Sequence, residues 1–169
     1  MTLLETGRLR MRPFVHGDAP FIVELLTGTF WLRFIGDRGV HNEDDARAYL
    51  DKGPLASYAQ HGFGLWMVEL KDTGEPVGMC GLLKRETLPD VDLGYAFLPR
   101  FWGKEYAVEA AAACRDYGRA VLGLKRLVAV TDPANKGSIR VLEKIGLRFE
   151  RLIAFHEGEP ESRLYGIDF

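Results

Sequence analysis

The run from Val91 to Val121 constrains this chain most. Apolar residues alternate with others from Val91 to Leu98, and Pro99 stops the alternation. After Arg100-Phe101-Trp102-Gly103-Lys104-Glu105 the period changes. Ala107, Ala110, Ala111, Cys114, Tyr117 and Val121 then recur close to the helical spacing. Side chains alternate faces along a strand and return about every 3.6 residues along a helix. The run therefore predicts a strand, a glycine-containing turn and a long helix over about Tyr106–Val121. A turn that enters a helix presents unpartnered main-chain N–H groups at the positive end of the helix dipole. Such a turn can hold an anion such as a pyrophosphate. Gly103 would let the main chain approach it, and Arg100 and Lys104 would add positive charge. A plain strand–helix connection has the same outline.

The flanking segments extend the pattern. Leu9–Phe14 alternates apolar and basic residues, as a half-buried strand does. Asp18 is placed to cap a helix with Pro20 in its first turn and Phe21, Ile22, Leu25 and Leu26 on its apolar side. Gly28–Asn42 reads as irregular. Asn42 caps a second helix, with Glu43, Asp44 and Asp45 at its positive end and an interruption at Gly53-Pro54. Phe63–Leu70 and Val77–Lys84 read as strands joined by the turn Lys71–Gly74. Gly78 and Gly81 would permit close backbone approach. A strand at Arg126–Thr131, a short helix at Asn135–Lys144 ended by Gly146, and a strand pair at Phe149–His156 and Ser162–Phe169 complete the order. The expected fold is α/β (α+β), a mixed, mostly antiparallel sheet of about seven strands with helices on both faces.

A length of 169 residues suits one domain over 1–169. The net charge of −2 gives no general reason to expect nucleic acid or an anionic membrane as partner. No apolar run is long enough to span a bilayer, and Met1–Arg12 lacks the apolar centre of a signal peptide, so a cytoplasmic protein is expected. Cys80 and Cys114 stand in no CxxC pair, and His16, His41, His61 and His156 show no ligand spacing. Two buried free thiols and no metal are expected.

Two stretches carry a family resemblance. Arg100 and Gly103, followed by Tyr106-Ala107-Val108-Glu109-Ala110, resemble the acyl-coenzyme A loop and helix start of the GNAT acetyltransferase superfamily. Asn135-Lys136-Gly137-Ser138-Ile139-Arg140-Val141-Leu142-Glu143-Lys144-Ile145-Gly146-Leu147 resembles its second signature. Leu9–Phe14 and Asp18-Ala19 fit as well, so the resemblance covers nearly the whole chain. It is nearest the branch that includes the ribosomal-protein N-terminal (RimJ/RimL-like) acetyltransferases. Two positions depart from the pattern. Glu105 stands where the family has a second Gly or Ala, and Leu142 stands where many members have a tyrosine proposed to protonate the thiolate. The side chain of Glu105 would have to point to solvent.

The resemblance implies transfer of acetyl from acetyl-coenzyme A, as co-substrate, to a primary amine, either a small molecule or a protein N-terminus, by direct attack. It implies cofactor contacts along Phe97, Leu98, Pro99, Arg100, Trp102, Gly103, Lys104, Glu105, Tyr106, Asn135 and Ser138. It offers Ser138 as the general acid. Asn135 fits equally as a helix N-cap, and Ser138 as a surface or packing residue. Asp92 shares a strand face with Gly94 and Ala96 and is a candidate general base, or a solvated residue paired with Arg85; Glu86 is an alternative base. Trp31, Phe34, Asp37 and Arg38 are candidate acceptor contacts, with burial in an N-terminal core the other role for Trp31 and Phe34. The acidic loop Glu157–Glu161 would attract a cation or serve as a solvated turn. A homodimer is expected only from the commonness of twofold assemblies. Two rivals share the fold class: an acyl-coenzyme A sensor without turnover, and an interaction protein without cofactor.

Overall fold

The computed structural model describes residues 3–169. Met1 and Thr2, the start of the Met1–Arg12 segment that lacks the apolar centre of a signal peptide, lie outside them. The described residues form one eight-stranded sheet in the order β1-β2-β3-β4-β5-β6-β8-β7. The strands are β1 Leu4–Glu5, β2 Leu9–Arg12, β3 Leu65–Leu70, β4 Pro76–Leu83, β5 Asp92–Phe97, β6 Arg126–Thr131, β7 Arg148–Ile153 and β8 Ser162–Asp168. All neighbouring pairs are antiparallel except β5 with β6. The sheet is mixed and mostly antiparallel, as expected. Its additional strand is β1, where Leu4 lies opposite Met11. Two residues are too short to show alternation.

The helices are α1 Ala19–Leu26, α2 Thr29–Phe34, α3 Glu43–Leu50, α4 Ala56–His61, α5 Tyr106–Ala120 and α6 Lys136–Lys144. Strand alternation divides the core between the two faces of the sheet. Trp66, Cys80, Leu82 and Leu93 pack with Ala110, Ala111 and Cys114 of α5 and Leu142 of α6. Met67 and Met79 pack on the opposite side with Ile22, Leu26, Trp31 and Leu50. Small residues let α5 lie close to the sheet, and burial of this apolar surface stabilises the fold at roughly 25 cal/mol per Å². Cys80 and Cys114 are free and buried, with sulfurs 3.6 Å apart.

Four local expectations change. Gly28–Asn42 is not irregular throughout, because α2 lies within it and buries Trp31. The interruption at Gly53-Pro54 is a π-helical turn, Asp51–Leu55, that joins α3 to α4. Pro54 has no N–H to donate, and the wide turn accommodates its ring. Asn42 caps α3 through Oδ1, which accepts from Asp45 N at 2.8 Å. Asp18 makes no such cap. Its carboxylate instead accepts from Val15 N at 2.9 Å and pairs with Arg12 at 2.8 Å. Val121 is exposed, because α5 ends one residue before it.

The break in the sheet positions the site. The β4–β5 pairing runs for the full length of β5, from Leu83–Asp92 to Gly78–Phe97. The parallel β5–β6 pairing is confined to Asp92 and Val128. Beyond that point the two strands diverge and leave a wedge. Gly81 holds β4 against the start of β3, since a methyl group there would stand 2.0 Å from Gly64 O.

Candidate active site

Main-chain groups of alternate strand residues point to the same neighbour. Leu98 N donates to Val77 O on β4 at 3.0 Å, and Val91 O accepts from Val128 N on β6 at 3.1 Å. Alternation therefore turns the main chain of Tyr95 and Phe97 into the wedge. The carbonyl of Phe97 is already used, because it accepts from Trp102 Nε1 at 2.9 Å.

One cavity, of about 380 Å³, opens at the N-terminal end of α5. Phe97, Trp102, Gly103, Glu105, Tyr106, Asn135 and Ser138 line it, and Phe30 and Phe34 of α2 close one side. Among the described residues, the amides of Gly103, Lys104, Glu105, Tyr106, Ala107 and Val108 have no main-chain acceptor. Gly103 has φ +81°, and a Cβ placed there would meet nothing within 4 Å. Glu105 also lies in the left-handed region, at φ +65°. These unpartnered donors around an open turn at a helix start fit the diphosphate of a coenzyme A molecule.

The carboxylate of Glu105 neither fills this cradle nor hangs free in solvent. It is 2.7 Å from Lys144 Nζ and 3.3 Å from Arg140 Nη2, both on α6. The hydrogen bond from Lys144 holds its pKa below the ordinary glutamate range. Two cations thus answer one carboxylate, and the repulsion that Glu105 would exert on a phosphate is offset.

A second cavity, of about 550 Å³, lies on the α3–α4 side of the sheet. It passes Gly94 and continues through the wedge to Ala129 and Leu142. Ile35, Tyr95 and Ser138 line both cavities, so the two spaces adjoin there. The Tyr95 hydroxyl is 2.8 Å from Ser138 Oγ and donates to Ser138 O at 3.0 Å. Burial pushes the Tyr95 pKa well up, so it remains a protonated phenol at neutral pH. Tyr95 was not singled out in the sequence, because a tyrosine on an alternating strand reads as core. Only the convergence of β5 and α6 gives its hydroxyl a partner.

Asn135 caps α6, with Oδ1 accepting from Ser138 N at 3.1 Å, and also lines the first cavity. Leu98 lines neither space and is buried beside α1. Arg100 is turned away, ion-paired to Glu24 of α1, and Lys104 is exposed outside the lining. Trp31 and Arg38 line the second cavity, whereas Phe34 lines the first. Asp37 lines neither; its carboxylate accepts from Gly39 N at 2.7 Å. Glu86 and the loop Glu157–Glu161 are exposed away from both spaces.

Asp92 is fully buried and lines neither cavity. Arg85 Nη2 stands 3.2 Å from Oδ2, close enough for an ion pair but not aligned for a hydrogen bond. Burial raises the Asp92 pKa from 3.8 to about 6, and Arg85 limits the rise. Among the described residues no cluster of His, Cys, Asp and Glu could hold a metal ion.

Comparison with known proteins gives the same reading. The chain is 31% identical over 147 residues to the uncharacterized N-acetyltransferase YnaD of Bacillus subtilis, covering 87% of this chain and 83% of that one. It is 44% identical to the uncharacterized protein YkkB of the same organism over 95 residues, and that match spans 55% of each chain. An acetyltransferase structure from Agrobacterium tumefaciens superposes with a TM-score of 0.83 at 28% identity, over 98% of this chain and 94% of that one. RimL, a ribosomal L7/L12 α-N-protein acetyltransferase solved with coenzyme A, shares the fold with a TM-score of 0.83 at 15% identity over 99% and 98% of the two chains. The profile of the GNAT acetyltransferase domain matches residues 8–148, and the chain belongs to that family, as an enzyme that transfers acetyl from acetyl-coenzyme A to an amine.

Proposed function

We propose that the acceptor amine enters through the larger cavity and meets the acetyl thioester at Tyr95 and Ser138. The observation that carries this is the junction of the two cavities at those residues. Acetyl-coenzyme A supplies the acetyl group as an activated thioester. The amides from Gly103 to Val108 hold its diphosphate, with Lys144 and Arg140 balancing Glu105. Main-chain groups of Tyr95 and Phe97 in the wedge pair with its amide-bearing arm, and Trp102 and Tyr106 pack beside it. The amine nitrogen must lose a proton and the sulfur must gain one. Ser138 delivers the sulfur's proton, and the Tyr95 hydroxyl turns from Ser138 O to Oγ to replenish it. The proton shed by the attacking nitrogen returns through water to Tyr95, a route that does without a tyrosine at Leu142. Asp92 acts as a positioning residue that fixes Arg85 at the wall of the acceptor cavity, since its carboxylate lines neither space. Asn135 acts chiefly through its cap, which aims Ser138.

We place the chain nearest the branch of the ribosomal-protein N-terminal acetyltransferases; the signature around Ser138 supports this. Unlinked thiols at Cys80 and Cys114 support a cytoplasmic setting. Exposed Phe149 and Leu152 on the outer strand β7 support a homodimer. The single sheet supports treating 1–169 as one domain. Calorimetry with acetyl-coenzyme A, followed by thiol release over a panel of amines, tests the function. The expected outcome is binding at one site per chain and turnover with at least one amine. Binding without turnover across the panel would favour a sensor.

A further inference from the structure

The charges lining the acceptor cavity are of one sign. Arg38, Lys52, Lys84 and Arg85 line it, with His61, and among the described residues no Asp or Glu does. Lys84 Nζ is tethered to the carbonyls of Leu88 at 2.9 Å and Pro89 at 3.2 Å, which leaves its charge uncancelled. Arg85 has the buried carboxylate of Asp92 behind it at 3.2 Å. Arg38 and Lys52 form no ion pair among the described residues. Asp45 shares an adjoining recess with both, but its carboxylate accepts from His41 N at 3.1 Å. Four cations therefore line the cavity, with the carboxylate of Asp92 behind one of them and that of Asp45 outside the lining.

This charge is the reverse of what a polycationic acceptor needs. An ammonium beside fixed cations is disfavoured, so the wall promotes the neutral amine that can attack. The same wall gives a plain amine no electrostatic attraction. An anionic group on the acceptor supplies it, through charge-assisted hydrogen bonds to lysine and arginine. At about 550 Å³, the cavity is in the size range of small-molecule sites.

We propose that the acceptor is a small primary amine bearing a carboxylate or phosphate, its anionic group held by the Arg38–Lys52–Lys84–Arg85 wall and its nitrogen directed to Tyr95 and Ser138. This rests on the acetyltransferase function stated above. In the reaction the nitrogen forms the new bond to the acetyl carbon, and the carbon–sulfur bond breaks. The ammonium loses one proton to water before attack. The second, lost as the amide forms, returns to the Tyr95–Ser138 pair, which gives a proton to the sulfur to make the thiol.

The test uses matched amines that differ in the anionic group: γ-aminobutyrate against butylamine, and O-phosphoethanolamine against ethanolamine, with spermidine as a polycation. Binding is titrated by calorimetry on the protein saturated with coenzyme A, and turnover is followed by thiol release. At least one anionic amine is expected to bind and react at least about 10-fold better than its partner, and the two pairs separate carboxylate from phosphate. The preference should weaken with salt, as screening requires. It should fall about 10-fold in Lys52→Glu and Arg38→Glu, while acetyl-coenzyme A affinity stays unchanged. Equal or better binding of butylamine, ethanolamine or spermidine overturns the proposal, as does failure of both anionic amines to bind or a preference that survives charge reversal. A peptide with an acidic N-terminal sequence that outperforms both anionic amines overturns the small-molecule assignment. Loss of acetyl-coenzyme A binding in the unaltered protein would instead count against the function itself.

Discussion

The hydroxyl of Tyr95 on β5 lies 2.8 Å from Oγ of Ser138 on α6, where the two cavities of the site meet. Two elements distant in sequence thus supply one hydrogen-bonded pair to one point. If the pair moves a proton, Tyr95→Phe and Ser138→Ala should each lower kcat about 100-fold, the scale of lost general acid catalysis. The double variant should be little worse than either single one, because the two groups act as a unit. Steady-state kinetics alongside calorimetric acetyl-coenzyme A binding checks this. Unchanged kcat with a lowered melting temperature would mark the pair as structural.

Asp92 makes stability depend on pH. Its pKa is about 6 in the folded protein against 3.8 for the unperturbed group. Between those values the native state keeps a proton that the unfolded chain has released. Stability therefore falls as pH rises from about 4 to 6, by up to about 3 kcal/mol, and levels off above. Glu105 and Glu109, whose pKa values are lowered, give the opposite slope. The Asp92 contribution is therefore read by urea unfolding as the difference between the unaltered protein and Asp92→Asn, which should shrink as pH rises across that window.

Glu105 occupies a left-handed position, φ +65°, beside the cofactor cradle. Glycine adopts that conformation without the cost of roughly 1 kcal/mol that a Cβ imposes. Glu105→Gly also frees Lys144 and Arg140 for a phosphate. Acetyl-coenzyme A binding is expected to tighten or stay unchanged, as read by calorimetry. Abolished binding would mean that the ion pairs to α6 hold the cradle open.

Gly81 has no room for a side chain, since a Cβ would stand 2.0 Å from Gly64 O, a main-chain atom. Gly81→Ala should cost about 3 kcal/mol, the upper end of overpacking, and lower the thermal midpoint. The neighbouring Gly94 is less constrained: its added methyl would meet the side chains of Leu83 at 3.1 Å and Leu65 at 3.4 Å, which can shift. Gly94→Ala should therefore be tolerated for folding but narrow the acceptor cavity that Gly94 lines. Thermal melts and KM for the amine separate the two effects.

Arg100 was expected to face the phosphates and instead pairs with Glu24. Arg100→Ala should leave acetyl-coenzyme A affinity within about two-fold, because exposed ion pairs contribute little. A ten-fold loss in a calorimetric titration would place the guanidinium at the cofactor after all.

The sequence by itself determined whatever depends on neighbours a few residues apart. Alternation fixed β5, helical spacing fixed α5, and Asn42 and Asn135 capped the helices they precede. Local pattern was enough to place the open amides at Gly103 and to suggest buried thiols. It failed where partners are remote or elements are short. β1 exists because Leu4 can pair with Met11 on an open edge, and α2 because Trp31 finds a buried site against the sheet. Asp18 read as a cap, and the nearness of Arg12 gave its carboxylate another partner. Only the tertiary structure divided the site. It ended the β5–β6 pairing at Asp92, so the sheet splays and two cavities adjoin at Tyr95 and Ser138. It also gathered Arg38, Lys52, Lys84 and Arg85 around one space in a chain whose net charge is −2. A side chain's period is written along the chain, but the sign of a cavity's field is a sum over residues that only folding brings together.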